Sequence, residues 1–190
     1  MIIDSHAHVV VPPESYRFMG GLVASRANPA SRPKLTDEAV RTAGQSIVDI
    51  MDAVGTDIQF LSPRPYMQMH SVKPAQVTRL WTAHMNDLVQ RTVEMFPTRF
   101  RAVAGLPQYR DESPAACLDE LSFRVNEQGF IGCLLNPDAT AGDGGAPPVF
   151  VQHRQLPQGQ RRVPVQVRQV GAGGCRVPLS QFVPGRVSLL

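Results

Sequence analysis

Met1-Ile-Ile-Asp-Ser-His-Ala-His-Val-Val-Val11 opens the chain. Aliphatic, largely β-branched residues stand at both ends and the polar residues gather between them. That is the pattern of a buried strand running out into a loop. Side chains alternate along an extended chain, so His6 and His8 leave the backbone on the same side and can grip one divalent metal. Asp4 stands where it either orients an imidazole or caps the strand end.

Outward from this strand the pattern alternates. Pro12-Pro13 and the segment to Pro33 read as a long loop. Thr36-Asp-Glu38 starts a helix whose stripe is Val40, Ile47, Ile50, Met51 and Val54, and Gly55 stops it. Asp57–Leu61 reads as strand two, ending at Ser62-Pro-Arg-Pro65. A long helix follows from Pro74 to Phe96, and strand three is Phe100–Leu106. Ser113-Pro114 opens a helix carrying Cys117, Leu118, Leu121 and Val125, and Phe130–Leu135 is strand four. Short apolar strands joined by helices mean a parallel sheet. The closure is either an open doubly wound sheet or a (β/α)₈ barrel. The first βα turn lacks the glycine-rich phosphate fingerprint of the former. Four units make half of the latter.

The 190 residues carry 19 Lys and Arg against 16 acids, a net charge of +3 that is unevenly spread. All sixteen acids lie in residues 1–143; from Gly144 onward there is no Asp or Glu, and six arginines stand there. Residues 1–143 have the mildly acidic balance of an enzyme. No apolar run approaches the ~18–20 residues that cross a membrane, and no basic stretch precedes an apolar one at the N-terminus. Cys117, Cys133 and Cys175 lack metal-type or CxxC spacing, which points to a reducing cytoplasm.

Strand ends in such a sheet share one rim, where barrel enzymes build their sites. Arg64, just past strand two, suits a substrate carboxylate through paired N–H groups. His70, in the next loop, is a second candidate. Gln108 and Asn136 end strands three and four and are candidates by position. His84 lies inside the long helix, where a packing role is expected, and Cys133 reads as a core thiol.

Met1–His8 resembles the opening of the amidohydrolase-2 family, barrels related to aminocarboxymuconate-semialdehyde decarboxylase. Phe60-Leu-Ser-Pro-Arg64, Met95-Phe-Pro97, Gly105-Leu-Pro-Gln108 and Gly129-Phe-Ile-Gly-Cys-Leu-Leu-Asn-Pro-Asp138 resemble more narrowly its hydratase branch from the protocatechuate 4,5-cleavage pathway. The resemblance spans residues 1–148. It implies an α/β chain forming the first half of a (β/α)₈ metal-dependent amidohydrolase-type barrel. It also implies a divalent metal, Zn²⁺, with His6 and His8 as two of its ligands. The family's further ligands follow strands five, six and eight and have no counterpart here, so the catalytic residues are not identified. The implied activity is that of a lyase on a small polycarboxylate, with Arg64, His70 and Asn136 binding substrate. Water addition to a carbon–carbon double bond is the first reading, decarboxylation of an aromatic or muconate-type acid the second, and an inactive truncated product the third. No nucleic-acid or membrane partner is expected; a homo-oligomer is expected of the full-length enzyme, in the cytoplasm.

Residues 149–190 leave the family pattern. Three readings stand: a disordered basic tail, a nucleic-acid arm, or an out-of-frame translation of a GC-rich gene. The second is disfavoured because the segment has no Lys and few aromatics. On the third, codons permitted for Val167-Arg-Gln-Val-Gly171 can be chosen that encode Tyr-Asp-Lys-Leu-Val one base out of register, which is consistent with a helix of the family. His153 then has no role.

Overall fold

The computed structural model describes residues 1–110 and 112–136. The expectations placed on residues 137–190, including the domain boundary at 148, His153 and Cys175, lie outside the described residues. Four strands, β1 (Ile3–His8), β2 (Ile58–Ser62), β3 (Phe100–Gly105) and β4 (Gly132–Leu134), pair in parallel in the order β1-β2-β3-β4. Each crossover moves the chain one strand further in the same direction. With right-handed connections this winds all helices onto one face, as in a barrel wall. A doubly wound sheet would reverse its order and cover both faces.

The helices are α1 (Pro13–Ala24), α2 (Asp37–Val54), α3 (Ala75–Met95) and α4 (Leu118–Asn126). Thr36 caps α2 by accepting the Ala39 N–H at 3.1 Å, and Gly55 ends it in the left-handed conformation at φ +74°. α3 is the central element: Val77, Trp81, Met85, Leu88 and Val89 are at most 1% exposed. They pack in one core with Leu61, Phe100 and Ala104 of the sheet and Leu22 and Met51 of the neighbouring helices. Full burial of such a side chain stabilises by about 1.5–3 kcal/mol. Among the described residues no helix is long and apolar enough to cross a membrane.

Three expectations are corrected. The segment Pro12–Pro33 is not one long loop, because α1 occupies residues 13–24. Pro13 stands at the first helical position, Glu14 lies in the first turn, and Phe18 and Leu22 are buried one turn apart. In α2, Ile50, about 100° round from Met51, and Val54, at the helix end, are 63% and 66% exposed. The buried line is Val40, Gly44, Ile47, Val48 and Met51. Leu118 is also exposed, because α4 is held by a charged group as well as an apolar stripe. Arg124 is the buried residue of α4, bonded to Glu120 (2.7 Å), Asp87 (2.6 Å) and the Ala83 carbonyl (3.1 Å).

Candidate functional site

β1 carries one more residue than β2 between the pairs Asp4–Gln59 and Ala7–Leu61. The extra residue makes a bulge at Ser5-His6, and such bulges re-aim side chains next to sites. Asp4 fills it: its carboxylate accepts the His6 backbone N–H at 3.1 Å and the Gln59 amide at 3.0 Å. Of the two roles expected for Asp4, the structure shows the backbone one.

Past the bulge, the His6 and His8 rings lie edge to face with centroids 4.9 Å apart. His8 is half-buried and pairs in register with Ser62, the last residue of β2. Its Nδ1 lies 3.0 Å from Ser62 Oγ, and the Ser62 hydroxyl donates to the Ala7 carbonyl at 3.3 Å. A hydroxyl has one proton, so Ser62 Oγ accepts from His8 Nδ1–H, and Nε2 keeps its lone pair. Desolvation first, then the neighbouring His6 and Arg64, holds the His8 pKa below its ordinary value. A neutral imidazole with a fixed Nδ1–H is the form that ligates a metal through Nε2. Two imidazoles so placed fit two corners of a divalent cation site. No group of three or more His, Cys, Asp and Glu suited to a metal forms among the described residues. Ser62 went unrecognised in the sequence; the signal was register, since the last residues of the paired strands β1 and β2 meet across the ladder.

Arg64 follows at the same rim, exposed, its guanidinium donating to the Tyr66 hydroxyl at 3.1 Å. That hydrogen bond raises its already high pKa, so the group is a permanent cation. His70 is half-buried, with Nδ1 2.7 Å from the Gln108 carbonyl oxygen, and desolvation lowers its pKa. Gln108, a candidate for substrate contact, turns instead to the chain: its amide donates to the Asn136 carbonyl at 2.8 Å and its oxygen accepts the Asn136 N–H at 2.7 Å. His70, Gln108 and Asn136 thus meet around one small cavity, which Pro63, Pro65 and Gln68 also line. His84 is apart from them. It bonds Ser15 Oγ at 2.9 Å and packs on Phe18 and Trp81, and burial depresses its pKa to about 4. Cys117 and Cys133 are buried thiols whose pKa values burial pushes up to about 11 and about 12, which makes them poor nucleophiles.

A singly wound, four-stranded parallel sheet with paired histidines at the mouth of its first strand defines the class, the first half of a (β/α) barrel. The chain belongs to the amidohydrolase family, whose model matches residues 3–162. It is 33% identical over 154 residues to the 2-keto-4-carboxy-3-hexenedioate hydratase of Sphingobium sp. (strain NBRC 103272 / SYK-6), covering 78% of this chain and 45% of that protein. It is also 33% identical over 101 residues to the gamma-resorcylate decarboxylase of Rhizobium sp. (strain MTP-10005), covering 52% of this chain and 29% of that one. The crystal structure of 4-oxalomesaconate hydratase from Rhodopseudomonas palustris superposes with a TM-score of 0.69 at 29% identity, over 78% of this chain and 45% of the other. The chain therefore spans less than half the length of these relatives.

Proposed function

We propose that residues 1–148 supply the metal-binding and part of the substrate-binding rim of a lyase that hydrates a small polycarboxylate, with 4-oxalomesaconate as the substrate. The observation that carries this is the His6–His8 pair, with the His8 tautomer fixed by Ser62, on the rim that also presents Arg64. The likeness to two hydratases over 78% of the chain supports it. His6 and His8 would hold a divalent cation, which we take to be Zn²⁺. When bound, that cation supplies Lewis-acid stabilisation of charge growing on a substrate oxygen. Arg64 pairs with a substrate carboxylate from the solvent side, and its guanidinium stays charged throughout. His70 and Asn136 border the ligand's far end. Ser62 orients His8, and burial keeps its ring neutral. A small acid is the only partner this site asks for, and a cytoplasmic enzyme fits its free buried thiols.

The decarboxylase reading is second, favoured by the 33% identity to gamma-resorcylate decarboxylase. Both reactions build negative charge on the substrate and use the same cation and arginine. We also propose that the frame breaks near residue 148; sequencing the coding DNA over codons 145–150 tests this, and an uninterrupted frame in independent isolates would sink it.

Calorimetry with Zn²⁺ tests the centre. Weak one-site binding is expected for this chain, since two imidazoles leave a tetrahedral ion two ligands short, and His8→Ala abolishes it. Equal binding by both proteins removes the centre from the proposal. Assayed on 4-oxalomesaconate and gamma-resorcylate, the 190-residue chain should turn over neither, and a chain extended in the corrected frame should hydrate the first. Decarboxylation of the second alone would transfer the function to the other reading.

A further inference from the structure

The cavity between the C-terminal ends of β2, β3 and β4 has a volume of about 10 Å³, room for one water-sized body. The hydrogen bonding of its walls determines what that body offers. His70 Nδ1 faces the Gln108 carbonyl at 2.7 Å. A carbonyl only accepts, so the ring proton is on Nδ1 and Nε2 carries a lone pair. His70 Nε2 is buried and has no hydrogen-bond partner. The Gln68 and Gln108 amides each bond elsewhere. Gln68 accepts from Thr82 Oγ1 at 2.8 Å and donates to the Arg64 carbonyl at 3.5 Å, and both ends of Gln108 are bonded to the Asn136 backbone. The ring itself is fixed in place. Met69 takes a left-handed φ of +57°, its carbonyl accepts the Thr78 hydroxyl at 2.7 Å, and the His70 carbonyl accepts the Arg110 N–H at 3.1 Å. The Pro65 carbonyl also acts on the ring.

We infer that His70 Nε2 accepts a hydrogen bond from a hydroxyl, enol or water of the ligand, and that a carboxylate is rejected at this position. An ionised carboxylate has no proton to give and would set lone pair against lone pair. Burial favours the neutral ring, so no positive charge offsets that clash. On this view the rim divides its labour: Arg64 takes a carboxylate, and His70 takes the hydroxyl-bearing carbon. The inference rests on the polycarboxylate reading of the rim.

Two measurements on the metal-free chain test it. Long-range ¹⁵N–¹H correlation should show His70 with a protonated Nδ1 and an unprotonated Nε2 at neutral pH; an Nε2–H tautomer or a charged ring overturns the inference. Citrate and tricarballylate, which differ by one hydroxyl, supply the ligand arm. Citrate should bind about tenfold more tightly, the size expected of one hydrogen bond to a buried acceptor. His70→Phe should erase that preference, so that citrate and tricarballylate bind alike. His70→Gln, whose amide oxygen still accepts, should keep part of it and serves if the phenylalanine variant does not fold. Equal binding of the two acids by the parent chain, or a preference that survives in His70→Phe, overturns the inference alone. Binding of neither overturns the polycarboxylate reading and this inference with it.

Discussion

Asn86 and His70 both reach the exit of β3 and are used in opposite ways. Asn86 donates to the Gly105 carbonyl at 3.0 Å, accepts the Gly105 N–H at 2.8 Å and gives its other amide proton to Glu120 at 2.8 Å. His70 gives its one proton to Gln108 and keeps a buried lone pair. The same contrast separates Arg124, bonded on every side between α3 and α4, from His8, tied to Ser62 through one nitrogen only. Asn86 and Arg124, in the helix layer, close on the protein itself and determine how it packs. His8 and His70, at the rim, are fixed at one end and open at the other, so a ligand meets a side chain whose freedom is already restricted.

The contrast is broken or sharpened by four measurements, the largest effect first. Arg124→Ala leaves Asp87 and Glu120 without their partner and should cost about 3 kcal/mol in urea unfolding. A loss below about 1 kcal/mol would mean that the helix layer is no more committed than the rim. His84 comes next. Its folded pKa, about 4, lies below its ordinary 6.5, so the unfolded chain binds the proton first as pH falls. Its contribution is therefore whole above pH 6.5 and is lost on acidification towards pH 4, with a slope of up to about 1.4 kcal/mol per pH unit. His84→Gln should flatten that part of the stability profile; identical slopes would show that the ring is not held neutral.

Gly105→Ala should cost about 1–3 kcal/mol, because a Cβ there would stand 2.9 Å from Pro63 Cγ, a ring atom with little room to yield. It should also move the segment carrying Arg64, seen as shifted amide resonances at residues 62–66. Arg64→Ala is the smallest. Its side chain is exposed and its hydrogen bond goes to exposed Tyr66, so stability should stay within about 0.5 kcal/mol of the parent. A larger loss would make Arg64 part of the packing instead of the site.

Much of this arrangement was legible before the coordinates. The apolar strands, the Gly55 stop and the His6–Ala–His8 spacing are local signals, and the helix and strand periods carry them without tertiary help. α1 was missed because Gly20-Gly21 and the prolines around it read as loop, although Pro13 at the first turn and the Phe18–Leu22 pair encode a helix. On α4 the stripe holds for Cys117, Leu121 and Val125, while Leu118 is exposed and the buried Arg124 lies outside it. Arg124 reads as a surface charge until Asp87, Glu120 and the Ala83 carbonyl are brought round it from another helix. Gln108 is a candidate for substrate contact by position, and position alone cannot show that the backbone past the next strand will occupy its amide. Legibility ends where a side chain's partner is far along the chain.

The Gln108 amide has a consequence beyond the site. It donates to and accepts from one residue, Asn136, as a backbone residue does with its neighbour in a ladder. The pairing of β3 with β4 is thereby prolonged by a side chain after the main chain has turned away. The spacing between these two strand exits becomes a matter of one side chain's length. Replacing Gln108 by Asn, shorter by a single methylene, would draw the exits together or unhook them, and the aperture of the mouth would change without any residue that meets a ligand being altered.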